Sequence, residues 1–151
     1  MNQVAPFVAA AQRFCTWVES HPTYDGDLRV PIALLADLIG HGAQLPNVDP
    51  ADDDDSDEDV PAPPTPRKTV LFSDFQYYRC VSNPFDGIYD DPSLELGDIT
   101  DDIGDIYADL QRGLVHWEHN QLRAIWEWKF GFDHHWGRHA ASVLNALLSK
   151  L

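Results

Sequence analysis

Trp126-Glu-Trp128-Lys129-Phe-Gly-Phe132-Asp133-His134-His135-Trp136-Gly137-Arg138-His139 is the stretch on which the reading of this chain turns. It lies inside residues 120–150, which read as one long final helix. Placed at about 100° per residue, Leu122, Ile125, Trp126, Trp136, Ala140, Val143, Leu144 and Leu147 share the main apolar face. Lys129 and Asp133 fall in the middle of that face and stand one helical turn apart, so their side chains are within reach of each other. A buried charge without a partner is costly, and the expectation is that the two pair with each other or with polar groups on neighbouring helices. Gly137 shares the face. A helix-interior glycine costs about 1 kcal/mol against alanine, which points to another helix or a large ring passing close.

His135 and His139 lie beside the apolar face, with Trp128 and Phe132. Imidazoles at i and i+4 stand where two rings can reach one metal ion. The helix before them, residues 98–117, has Ile99, Ile103, Ile106, Leu110, Leu114 and Trp117 on its apolar stripe. Asp98, Asp102, Asp105, Asp109 and His116 make a second ridge to one side. Like charges at this spacing repel by a few tenths of a kcal/mol per pair, about 0.2–0.5, so the ridge asks for something positive opposite it. The macrodipole accounts for the acids of the first turn and not for Asp105 and Asp109. Between the two helices the candidate metal ligands are therefore His135, His139, Asp102, Asp105 and Asp109. The commoner outcome of such a pattern is a buried polar network of Lys129, Asp133, His135 and His139 that cross-links helices without any metal. No Glu follows His135, so the segment is not a H-E-x-x-H motif, and there is no E-x-x-H pair of the di-iron kind.

Working outward, residues 4–19 read as a helix with Val4, Phe7, Val8, Ala11, Phe14, Cys15 and Val18 inward. His21-Pro22 and Asp25-Gly26 turn the chain. Residues 28–45 read as a second helix, with Pro31 tolerated in its first turn and a stripe of Leu28, Ile32, Leu35, Leu38, Ile39 and Leu45. Residues 70–80 are ambiguous and lean to helix. Residues 81–97 carry Asn83-Pro84, Asp86-Gly87 and Asp91-Pro92, which is loop chemistry. The acidic stretch Asp86 to Asp91 lacks the pattern of a calcium loop. The fold expected is all-α, a compact bundle of four or five helices in a single domain over 1–151. A disordered, flexible linker interrupts it over 47–68.

That linker holds Asp49, Asp52 to Asp55, Asp57, Glu58 and Asp59, then Pro61, Pro63, Pro64 and Pro66. It buries too little apolar surface to offset its ordering entropy. The formal charge of the chain is −15; without these eight acids, 25 acids become 17 against 10 bases. Such a surface repels nucleic acid and anionic lipid, so neither is expected as a partner, whereas a basic protein partner is permitted. Cys15 and Cys80 form no C-x-x-C and read as buried reduced thiols. The N-terminus lacks a basic region followed by a long apolar one, and no apolar run is long enough to span a membrane, so a soluble cytoplasmic protein is expected. No phosphate-binding glycine loop, nucleophile elbow or supported Cys/His pair is present.

Three ordered pieces carry a resemblance. They are Phe14-Cys15-x-Trp17-Val18-Glu19, Asp102-Ile-Gly-Asp105-Ile106-Tyr107-x-Asp109-Leu110 and Trp126-x-Trp128-Lys129-x-x-Phe132-x-x-His135-Trp136-Gly137-x-His139. Together they resemble an uncharacterised bacterial family, the domain of unknown function 5063. The resemblance implies a compact helical domain and carries no established activity, cofactor or partner. Two function classes follow from the residues. The first is a non-enzymatic, acidic protein-binding module, with an immunity or antitoxin-like role as one version. The alternative is a helical protein that binds a divalent metal through the His/Asp cluster, with a hydrolase as one version.

Overall fold

The third helix organises the molecule. Its apolar residues recur every three or four positions, and Ile99, Ile103, Ile106, Tyr107 and Leu110 are all buried along it. The structure is a computed structural model and describes residues 3–20, 27–50, 72, 74–81, 83–85 and 94–151. Among them are helices α1 (Val4–Glu19), α2 (Arg29–Gly42), α3 (Ile99–His119), α4 (Gln121–His134) and α5 (Trp136–Leu148), with strands β1 (Tyr77–Val81) and β2 (Leu94–Asp98). The helices form the bundle expected. α3 packs against α4, α5 and α1, and α2 packs against α1 and α5. None of the described helices is long and apolar enough to cross a membrane. Residues 47–50 carry no regular secondary structure. The rest of the expected acidic linker, the turn over 21–26 and the acidic loop over 86–91 lie outside the described residues.

The first two helices follow the predicted pattern. Phe7, Ala11, Phe14, Cys15 and Val18 of α1 are buried, as are Leu35 and Leu38 of α2. Arg13 on α1 pairs with Asp37 on α2 at 3.0 Å, and Glu19 accepts from Tyr107 and Gln111 of α3, each at 2.8 Å. The exposed Arg13 pair contributes little, while the apolar seam beneath it supplies most of the cohesion.

Three expectations are corrected here. Residues 77–81 and 94–98 form an antiparallel hairpin, with Tyr77 opposite Asp98 and Val81 opposite Leu94. The lean to helix over 70–80 gives way to strand at 77–80, and the loop expected over 81–97 gives way to strand at 81 and 94–97 while 83–85 carry no regular secondary structure; strand pairing depends on a partner in another segment, which local periodicity does not report. Asp98 ends β2 and caps α3, its carboxylate accepting from the backbone of Thr100 at 2.9 Å and Asp101 at 3.3 Å. It therefore leaves the acidic ridge and satisfies two orphan amides of the helix start. Cys15 is buried, and burial pushes its thiol up to about 12. Cys80, expected buried, is half-exposed.

The largest correction concerns the final helix. It is two helices, α4 and α5, broken at His135 (φ −142°, ψ −90°). In an unbroken helix Trp128 and Trp136 would point about 80° apart. With the break, both indoles are fully buried, and Trp136 donates its ring N–H to the Trp128 carbonyl at 3.1 Å. Phe7 of α1 lies against both rings, with centroids at 5.1 and 5.9 Å. The close approach expected at Gly137 is real, but its source is the preceding turn. A Cβ there would stand 2.2 Å from the Phe132 carbonyl oxygen. Leu122, placed on the apolar face by the single-helix reading, is exposed.

Trp128 fixes α4 to α3. Its indole donates to the Leu110 carbonyl at 3.2 Å, and its Nε1 would stand 1.9 Å from a Cβ at Gly113. Alanine at position 113 gains about 1 kcal/mol of helix propensity but must displace a fully buried ring. Overpacking of this kind costs roughly 1–3 kcal/mol, and the lost hydrogen bond about 1 more. Gly113→Ala should therefore destabilise the protein by about 2 kcal/mol, against its propensity, as measured by the urea midpoint at unchanged slope.

Candidate functional site

α3 carries Asp102, Asp105 and Asp109 at steps of three and four, one ridge along the helix facing α5. The break at His135 places that ring at the junction of α4 and α5, and His139 follows one turn into α5. His139 Nδ1 lies 2.6 Å from Asp102 Oδ1, and His135 Nδ1 lies 2.6 Å from Asp109 Oδ2. The two rings meet edge to face with centroids 4.9 Å apart. A carboxylate only accepts, so each Nδ1 carries the proton it donates, and in the neutral rings Nε2 holds the free lone pair.

Asp105 is the carboxylate left between them. Its Oδ2 lies 3.7 Å from His139 Nε2, and Asp105, His135 and His139 each offer a ligand atom within 4.8 Å of the others. All five residues named from the sequence are thus brought together, in two roles. Asp102 and Asp109 hold the rings from behind; Asp105, His135 and His139 face a common point. The group opens outward, from an Asp102 side chain 11% exposed, through His139 at 31% and Asp105 at 45%, to His135 at 48%.

The electrostatics follow the same order. The hydrogen bond to Asp102 pushes His139 up from its ordinary value, against a smaller opposing effect of burial, and the charges of Asp102, Asp105 and Asp109 add to the rise. Burial pushes the Asp105 carboxyl up; repulsion from Asp101 and Asp102 adds to this, and the two imidazoles pull it back.

Lys129 and Asp133 do pair, as an i, i+4 ion pair on α4. They are not part of a buried network with the imidazoles. Asp133 is 41% exposed, and among the described residues no hydrogen bond or ion pair joins this pair to His135 or His139. The reason is the break. It shifts the angular phase of residues 135–139 relative to 129–133, so a wheel drawn through both misplaces one set. An exposed pair of this kind contributes about 0.3–0.5 kcal/mol. His134 is exposed and lies against Phe130, with centroids 4.7 Å apart, and Arg138 is exposed. His116, given no role from the sequence, is buried.

One participant had no sequence signal. Tyr78 of β1 donates its hydroxyl to Asp102 Oδ2 at 2.5 Å. Burial, then the bond to Asp102, holds this phenol well above its ordinary value, so it remains a donor. Only the pairing of β1 with β2 brings it beside α3.

The raised His139 makes a prediction for the protein in chelator. A folded-state value above the free value of about 6.5 means the stabilisation is complete below that pH and fades as pH climbs through the raised value. His139→Gln should remove it. The gap in melting temperature between wild type and His139→Gln is expected to be widest below about pH 6.5 and to narrow as pH rises above it. A gap that widens with pH would contradict the assignment.

No curated protein matches the chain. Among solved structures, the crystal structure of protein BF1032 from Bacteroides fragilis is similar in fold, with a TM-score of 0.68 at 17% identity, over 96% of this chain and 89% of that one. At that identity the likeness speaks for the helical architecture alone. The family model for the domain of unknown function DUF5063 matches residues 1–151, the whole of the chain, and the chain belongs to that family.

Proposed function

We propose that this chain is a divalent-metal-binding helical protein whose ion is held by the Asp105 carboxylate and by Nε2 of His135 and His139. The single observation that carries the reading is the pair of carboxylates behind the rings. Imidazoles that ligate metals characteristically donate their other N–H to a carboxylate, which fixes the tautomer and raises the basicity of the ligating nitrogen. Asp109 and Asp102 stand in that position at 2.6 Å each. A polar cross-link alone needs one such pair; here two rings and a third carboxylate present lone pairs to one another.

The present spread of up to 4.8 Å between ligand atoms is wider than in a tetrahedral zinc site. There, bonds of about 2.0–2.1 Å put ligand atoms about 3.3 Å apart. Side-chain rotation of the half-exposed His135 and Asp105 closes it. Two imidazoles and one carboxylate suit zinc or another first-row divalent ion. Three protein ligands leave a position to water, and an ion there would supply a hydroxide near neutral pH, the chemistry of a hydrolase.

A second reading keeps the protein as a cytoplasmic binding module for a basic partner. The hairpin supports it. Tyr77, Val81, Leu94 and Leu96 are exposed, and the strand register puts all four on one face. The net charge of −15 suits a basic partner. On this reading a Leu94→Ser/Leu96→Ser variant loses partner capture and His135→Ala keeps it.

The metal reading is tested by elemental analysis after loading with zinc or manganese and desalting. About one equivalent is expected for wild type, with Asp105→Ala and His139→Ala far below it. Less than about a tenth of an equivalent on wild type would leave the imidazoles as helix cross-links only.

A further inference from the structure

Asp102 spends its two oxygens on two different elements of the fold. Oδ1 takes the His139 proton at 2.6 Å, and Oδ2 takes the Tyr78 proton at 2.5 Å. The carboxylate is nearly buried, so neither oxygen has water as an easy substitute. Tyr78 reaches Asp102 only because it stands opposite Gly97 in the hairpin register. Its ring crosses β2 at the place where a Cβ on Gly97 would meet ring atom Cζ at 2.3 Å. Through Asp102 the phenol is linked to His139 of α5. The hydroxyl thus holds Asp102 from behind the ring whose Nε2 lies 3.7 Å from Asp105.

We infer that Tyr78 is a positioning residue for the ion site, and that ion occupancy and the seating of the hairpin on the bundle form one linked equilibrium. The inference rests on the metal reading above. Without the phenol, Asp102 loses a fixed orientation about its terminal torsion, and the aim of His139 loosens with it. Removing a partner of this kind lowers metal affinity about 10–100-fold where the partner touches the ligand itself. Tyr78 acts one hydrogen bond further out, so the lower end applies. Linkage is reciprocal: whatever factor the seated hairpin adds to ion affinity, the bound ion adds to hairpin seating.

The probe is zinc alone, with two readouts: affinity by competition with a chromophoric chelator, and hydrogen exchange of the amides of residues 77–81 with and without zinc. Tyr78→Phe keeps the ring and removes the hydroxyl; it should still unfold cooperatively, at a lower melting temperature, and bind zinc about tenfold more weakly. Gly97→Ala pushes the ring off its path with the hydroxyl intact, and should give the same loss. Zinc should slow exchange of the β1 amides in wild type and leave them unchanged in Tyr78→Phe and in Asp105→Ala. Wild type that binds zinc, with both hairpin variants within about twofold of it, overturns the inference and leaves the metal reading standing. Zinc-bound wild type with unchanged β1 exchange overturns the linkage in the same way. Wild type that binds no zinc removes the metal reading and this inference with it.

Discussion

The burial of two indoles against one phenylalanine is the constraint on which the rest of this structure depends. Trp128 and Trp136 are both fully enclosed, and Phe7 touches each. On a straight helix the two indoles would point about 80° apart, and the chain leaves the helix for one residue between them, at His135. Burial of rings of this size is among the larger single contributions to a small core, with truncation to alanine costing about 3–5 kcal/mol. The interrupted backbone is the smaller loss. His135 occupies the break, with the two buried indoles on either side of it.

That break also makes the site. α5 carries His139 against Asp102 on the acidic ridge of α3, while His135 stands at the corner against Asp109. The repulsion along Asp102, Asp105 and Asp109 is answered by two imidazoles whose donors point at the outer two carboxylates. Asp105 is left with raised proton affinity and no such donor of its own, its nearest ring nitrogen at 3.7 Å. The same packing that completes the core therefore leaves a concentrated set of lone pairs half-open to solvent. The hairpin adds a third layer. Asp98 joins β2 to α3 without a loop, and Gln76 holds the same carboxylate at 2.8 Å, so the base of the hairpin and the start of α3 move together. Tyr78 is one strand residue away from that junction.

The pattern of α1, α2 and α3 was legible in sequence because each has an uninterrupted stripe facing one partner layer. Phe7, Phe14, Leu35, Leu38, Ile103 and Leu110 are buried as their spacing requires. The five metal-ligand candidates were legible for a similar reason: steps of three and four put them on facing ridges. Their division into rings, holders and a free carboxylate was not, since that depends on which oxygen each nitrogen meets across two helices. Lys129 and Asp133 were misplaced because a wheel assumes constant phase, and the phase is reset at His135. Tyr78 was invisible because its role requires Gly97 of β2 and Asp102 of α3 to converge on it.

By itself the sequence determined the helical class, the inward face of each regular helix and the residue types that gather at the C-terminal end. These are local consequences of side-chain period and of the avoidance of buried, unpaired charge. Only the tertiary structure decided where the last helix breaks, that residues 77–81 and 94–98 pair, and which carboxylate remains free beside the imidazoles. Those outcomes are set by contacts between segments far apart in the chain, where the packing of whole rings outweighs the local preference of any one residue.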